Sequence, residues 1–192
     1  MSAARHLHEQ MYTYRMYCEI DDGNRYEIID GVPYMMAAPF RQHQRIQIRI
    51  ASRLHNYLEG KPCEVFAAPF DVRLAVYGEL GDDMINVVQP DIVVYCDDSK
   101  HDERGGIAAP DIAIEILSPS SAKNDKHRKF NLYEKAGVKE YWLVDGANEV
   151  IDVYVLDGEK FVHEAILQKG DTLTSSVIEG LEMDVAGIFM QT

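Results

Sequence analysis

The run Ile112-Ala113-Ile114-Glu115-Ile116-Leu117 sets a carboxylate in the middle of an otherwise apolar segment. Six such residues between Pro110-Asp111 and Ser118-Pro119 read as a buried strand. An unpaired charge buried there costs several kcal/mol unless a metal or a cation compensates it. Local structure gives no reason for a glutamate at that position, so a functional site is the leading explanation. A buried arginine or lysine partner is the competing one.

At 192 residues the chain can bury one core and is short for two. With 46% apolar and 27% charged residues, the composition is that of a globular domain. No apolar stretch reaches 18 residues, and Met1-Ser2-Ala3-Ala4-Arg5-His6 lacks an apolar signal core, so neither a membrane span nor a membrane partner is expected. Cys18, Cys63 and Cys96 are odd in number and widely spaced, which suggests reduced thiols in a cytoplasmic protein rather than a disulfide framework or a zinc site. The net charge of −13 opposes casual nucleic-acid binding, although charge distribution matters more than the sum.

The pattern predicts an N-terminal helical segment within residues 1–19 and a single domain over 20–190. The first helix is expected over 6–18. A hairpin follows, with Tyr26–Ile29 and Val32–Met36 turning at Asp30-Gly31. Residues 41–59 read as a long amphipathic helix closed by Gly60, and strands are expected at 64–76, 86–95 and 111–117. A helix ending before Gly137 leads to a meander of strands at 140–144, 150–156 and 160–166, then a short strand and a short helix within 171–189. Mixed strands around two substantial helices give an α/β (α+β) fold.

Asp111 and Glu115, about 13 Å apart at roughly 3.3 Å per residue, are too distant to share one cation. Asp91, after Pro90 at the head of another apolar strand, can be placed beside Glu115 by strand pairing, which leaves Asp111 as a turn residue. Two carboxylates, a backbone carbonyl and waters suit Mg²⁺ or Mn²⁺. In the following helix Lys129 extends the stripe of Leu132, Tyr133 and Ala136, with Asp125 one turn earlier, and can send its ammonium toward the carboxylates. His43 points with Ile46, Ile50, Leu54 and Tyr57 along the long helix, while Arg41, Arg45, Arg49 and Arg53 recur on a neighbouring face. With Lys123, Lys126, Arg128 and Lys129 these arginines are candidates for a phosphate-tracking patch, against the plainer reading of a solvated face.

The block from Pro110 to Ser121, then Asp125, Lys129, Tyr133 and Gly137-Val138-Lys139-Glu140-Tyr141-Trp142-Leu143-Val144-Asp145, resembles the Uma2 family. So do Tyr26-Glu27-Ile28-Ile29-Asp30-Gly31, His43 and Pro90-Asp91, and the likeness covers roughly residues 20–190. That family is usually described as restriction endonucleases of the PD-(D/E)xK superfamily. The resemblance implies a restriction-endonuclease-like mixed sheet flanked by helices, here with an N-terminal hairpin and a C-terminal meander. It implies metal-site roles for Asp91 and Glu115, joined by Glu27 and the Ile116 carbonyl. Leu117 stands where the superfamily's lysine belongs, and Lys129 on the next helix takes that part by analogy.

Two functions follow as expectations. The leading one is a Mg²⁺-dependent endonuclease hydrolysing DNA phosphodiesters, with Asp91, Glu115, Lys129 and Glu27 catalytic. His43, Asp125 and Tyr133 would line the site, and Arg41, Arg45 and Lys126 would contact phosphate. The alternative is a non-catalytic scaffold that binds protein or nucleic acid. A homodimer is expected, because the meander over 149–167 leaves strand edges for pairing between subunits.

Overall fold

The computed structural model describes residues 11–118 and 124–190. Helix α1 (Tyr14–Cys18) is capped by Thr13, whose side chain accepts the Met16 amide at 3.5 Å. The helix expected from residue 6 therefore begins at Tyr14 among the described residues, because the cap sits at Thr13; residues 6–10 lie outside them. Strands β1 (Tyr26–Ile29) and β2 (Val32–Met35) form the expected hairpin. Asp30 and Gly31 turn it at φ values of 51° and 73°, the pair of left-handed positions that a tight hairpin of matching twist requires. Helix α2 (Arg41–Leu58) buries Ile46, Ile50, Leu54 and Leu58 on one stripe.

Six short strands and a longer one follow: β3 (Glu64–Ala67), β4 (Val72–Arg73), β5 (Val87–Val88), β6 (Ile92–Tyr95), β7 (His101–Asp102), β8 (Gly105–Gly106) and β9 (Ile112–Ile116). A π-helical turn (Asn124–Lys129) runs into α3 (Phe130–Ala136), which Gly137 ends at φ 84°. The meander is β10 (Glu140–Asp145), β11 (Val150–Asp157) and β12 (Lys160–Leu167). A hairpin of β13 (Thr172–Thr174) and β14 (Glu182–Asp184), where the sequence suggested one strand, precedes α4 (Val185–Phe189).

The strands make a mixed sheet, β12-β11-β10-β9-β6-β3, and a second sheet, β2-β1-β5-β4-β8-β7. In the first, β9 and β10 run parallel and the remaining neighbours antiparallel. The segments 64–76 and 86–95, each expected to be one strand, are both broken, at Ala68-Pro69 (a cis peptide) and at Pro90. Proline has no N–H to give a ladder, so each segment leaves one sheet there and joins the other. Two crossovers thus lie side by side, with the Ala68 amide donating to the Asp91 carbonyl at 3.0 Å.

Strand alternation divides the core between the faces of the large sheet. Ile112, Ile114 and Ile116 pack with Ile50, Leu54 and Ile188 on one face. Ala113, Val93 and Tyr95 pack with Leu132 and Tyr133 of α3 on the other, and this is the side that receives Glu115. The expectation of three reduced cysteines is overturned: Cys63 and Cys96 are joined, Sγ to Sγ, at 2.05 Å. The register pairs Glu64 with Tyr95, so the next residues outward face each other despite a sequence separation of 33. Cys18 is exposed. Among the described residues no helix is long and apolar enough to cross a membrane.

Candidate active site

Because β6 pairs Ile92 with Ile114, Asp91, one residue ahead of the strand, stands opposite Glu115. Residues at facing positions project to the same side of a sheet, and both line a cleft of about 150 Å³ where the two sheets meet. Asp91 Oδ2 accepts the Ile116 amide at 2.7 Å and lies 3.1 Å from His43 Nε2. Its carbonyl accepts Gln47 Nε2 at 2.9 Å. This aspartate is therefore held from several sides, which a solvated turn residue would not be.

Behind it lies a buried charge cluster. Lys129 Nζ is 2.8 Å from Glu115 Oε1 and 2.7 Å from Glu27 Oε1. The three side chains are 4%, 3% and 6% exposed respectively, so ammonium and carboxylates compensate one another away from water. The Tyr133 hydroxyl donates to Glu115 Oε1 at 2.7 Å, and the Gln89 amide donates to Glu27 Oε1 at 2.8 Å. Lys129 and Tyr133 reach the same oxygen because they are four residues apart on one helix face. Burial, reinforced by the charges of Glu115 and Glu27, raises the Tyr133 pKa well above its ordinary value, so the phenol stays protonated and donating. Glu27 comes from the second sheet, Glu115 from the large sheet and Asp91 from the crossover between them.

The structure thus brings together Glu27, Asp91, Glu115 and Lys129, with His43 and Tyr133 beside them. Ile116 meets Asp91 through its amide, while its side chain is in the core. The Asp125 side chain and Lys123 lie outside the described residues. Arg41, Arg45 and Lys126 do not line the cleft. Further along α2, Arg49 donates to the carbonyls of Ile188 (at 3.3 Å) and Met190, and Arg53 donates to the Arg49 carbonyl at 3.1 Å, so that half of the arginine face is engaged by the protein itself. Asp111 pairs with Lys139 at 2.7 Å and accepts the Cys96 amide at 2.8 Å, away from the cleft, in keeping with a strand-start role.

Sequence reasoning missed Gln47, Gln89 and Arg25, all of which line the cleft. Gln47 had a signal, being a polar residue one turn after His43 and next to the apolar stripe, and it is buried. Gln89 accepts from Arg25 and donates to Asp71 at 2.7 Å, contacts between distant segments that no local pattern announces.

Among the described residues no three His, Cys, Asp or Glu side chains gather closely enough to hold a metal by themselves. The donor chemistry nevertheless fits a hard cation: Asp91 and Glu115 offer oxygen to one open cleft, and Mg²⁺ commonly keeps several waters and takes only one or two carboxylates. Glu27, bound to Lys129 and to the Gln89 amide, is placed to hold the lysine.

Comparison with known proteins agrees with this architecture. The family described as "Uma2: Putative restriction endonuclease" matches residues 10–186. "Uncharacterized protein slr1290" of Synechocystis sp. is 28% identical over 131 residues, 68% of this chain and 65% of that protein. "Uncharacterized protein sll1609" of the same organism is 26% identical over 122 residues, 62% of this chain and 65% of that protein. The chain thus spans just under two thirds of the length of these curated relatives. A crystal structure from Anabaena variabilis, described as "a putative nuclease belonging to DUF820", superposes with a TM-score of 0.71 at 21% identity, covering 92% of this chain and 97% of that one, and shares the fold. Matched along nearly its whole length, the chain belongs to the Uma2 family.

Proposed function

We propose that the protein is a Mg²⁺-dependent endonuclease that hydrolyses phosphodiester bonds in DNA. The observation that supports it most is the buried Lys129 ammonium, held between Glu27 and Glu115 at the back of the cleft that Asp91 also lines. Asp91 and Glu115 would hold the cation, with the Ile116 carbonyl as a third oxygen. Bound there, the cation supplies Lewis-acid polarisation of the phosphate.

The chain's own residues do the rest. Lys129 turns a fixed positive charge toward the cleft, where negative charge grows on the phosphoryl oxygens as water adds to phosphorus and a bridging oxygen departs. Glu27 and Glu115 fix the direction of that ammonium, and Tyr133 in turn holds Glu115. His43 braces Asp91 at the same Oδ2 that accepts the Ile116 amide. Purified protein, verified as folded, is expected to nick plasmid DNA with Mg²⁺ or Mn²⁺ and to lose this in Asp91→Ala and Glu115→Ala. Intact plasmid under every metal condition would defeat the proposal.

The net charge of −13 favours a second reading, a non-catalytic scaffold of the same shape. Thermal melts separate the two, since a ligand bound only to the native state raises the melting temperature. An enzyme should be stabilised by Mn²⁺ and the scaffold should not. As a further part of this proposal, two copies pair along β12, the edge strand of the large sheet, which leaves Val162 and Ile166 exposed. Light scattering showing only monomers would remove that part.

A further inference from the structure

Beside the cleft lies a groove of about 330 Å³, and Tyr34 lines both. That volume falls at the lower end of the roughly 300–1,000 Å³ usual for ligand pockets. Its floor is apolar, with Ile29 and Leu132 buried and Val32 half-buried. Its rim comes from the helix that carries Lys129. Arg128, Asn131 and Lys135 recur at i, i+3 and i+7, so they share a face, while Lys129 and Tyr133 point to Glu115 from the neighbouring one. One helix therefore serves both cavities.

The rim pairs cations with aromatic rings. The Arg128 guanidinium carbon is 4.5 Å from the Tyr34 ring centroid, and Lys135 Nζ is 5.8 Å from that of Tyr77. Asp30 also borders the groove, its Oδ1 accepting the Tyr77 hydroxyl at 3.0 Å. On a chain with a net charge of −13, Arg128 and Lys135 outnumber the one carboxylate of the lining, Asp30, so the groove's own charged residues are net basic.

We infer that this groove binds one nucleotide of the DNA strand flanking the scissile phosphodiester. Its sugar and base lie over Ile29, Val32 and Leu132, and its flanking phosphates meet Arg128 and Lys135. Seven residues span about 10 Å along a helix, a separation that lets each cation meet its own phosphate. The inference rests on the nuclease reading and adds the route of the strand to it.

The test is fluorescence anisotropy of a labelled single-stranded oligonucleotide across a salt series, with Ca²⁺ in place of Mg²⁺. Arg128→Gln/Lys135→Gln should weaken binding about tenfold at low salt and flatten the slope of log K against log [salt] by about 0.7 for each phosphate no longer neutralised. Lys61→Gln/Lys169→Gln, which changes the net charge equally at two exposed sites outside the groove, should change neither. Lys135→Gln alone should give half the slope change, and it serves if the Arg128 replacement fails to fold. Wild-type affinity and slope in folded Arg128→Gln/Lys135→Gln, with plasmid cleavage intact, would overturn the groove and leave the nuclease standing. A wild-type protein that neither binds the oligonucleotide nor cleaves DNA would overturn both.

Discussion

The Asp91 carboxylate and the Ile116 main-chain amide meet at 2.7 Å, which ties the crossover between the sheets to the strand that carries Glu115. Asp91→Asn keeps an acceptor for that amide and should melt close to wild type, while DNA cleavage falls by about two orders of magnitude or more. Asp91→Ala should lose activity equally and also about 1–3 kcal/mol of stability, the cost of a buried donor left unsatisfied. Urea denaturation of the two variants checks this: equal midpoints would show that the hydrogen bond contributes nothing.

Lys129→Met removes the cation that touches both Glu27 and Glu115. Stranding two buried carboxylates should cost about 3–5 kcal/mol. The double variant Glu27→Gln/Lys129→Met should recover part of that loss, because one stranded charge is gone. A double-mutant cycle in urea measures the coupling, and strict additivity would contradict the geometry.

Tyr133→Phe deletes the hydroxyl that donates to Glu115 Oε1, inside a packed aromatic cluster that keeps its shape. A stability loss of about 1–2 kcal/mol is expected, with cleavage slowed because the carboxylate is then positioned without the phenol. Thermal melts and plasmid nicking read the two effects separately.

Stability should also respond to acid through Asp111. Burial pushes its carboxyl up, but the hydrogen bonds from Lys139 and the Cys96 amide and the charges of Lys100 and Lys139 outweigh that and hold it below its usual value. A depressed folded-state pKa contributes stability that is complete above the unfolded value, about 4, and is lost as pH falls through the folded one. Asp111→Asn should therefore melt below wild type at pH 7, and the gap should close as pH falls below the unfolded value and through the depressed folded one. A gap that stayed constant with pH would assign the loss to packing instead of charge.

Local rules carried much of this architecture. Asp30-Gly31 announced its turn, the apolar stripe of α2 announced its buried face, and Glu115 betrayed a site by being wrong for its strand. Pro69 and Pro90 were visible, yet the change of sheet they accompany depends on pairing with distant strands. The same holds for Cys63 and Cys96, which meet only through the β3–β6 register, and for Gln89, whose partners come from residues 17, 25, 27 and 71. Lys129 was legible because an amphipathic helix fixes direction from sequence alone.

The paired crossovers have an evolutionary corollary. Where two β-layers are stitched together by the same few residues that would do the chemistry, loosening the stitch to admit a bulkier guest would also scatter the charges. Diversification is therefore expected on the outer turns of the lysine-bearing helix and on the outer strand of the hairpin, β2, where side chains can change without disturbing the join.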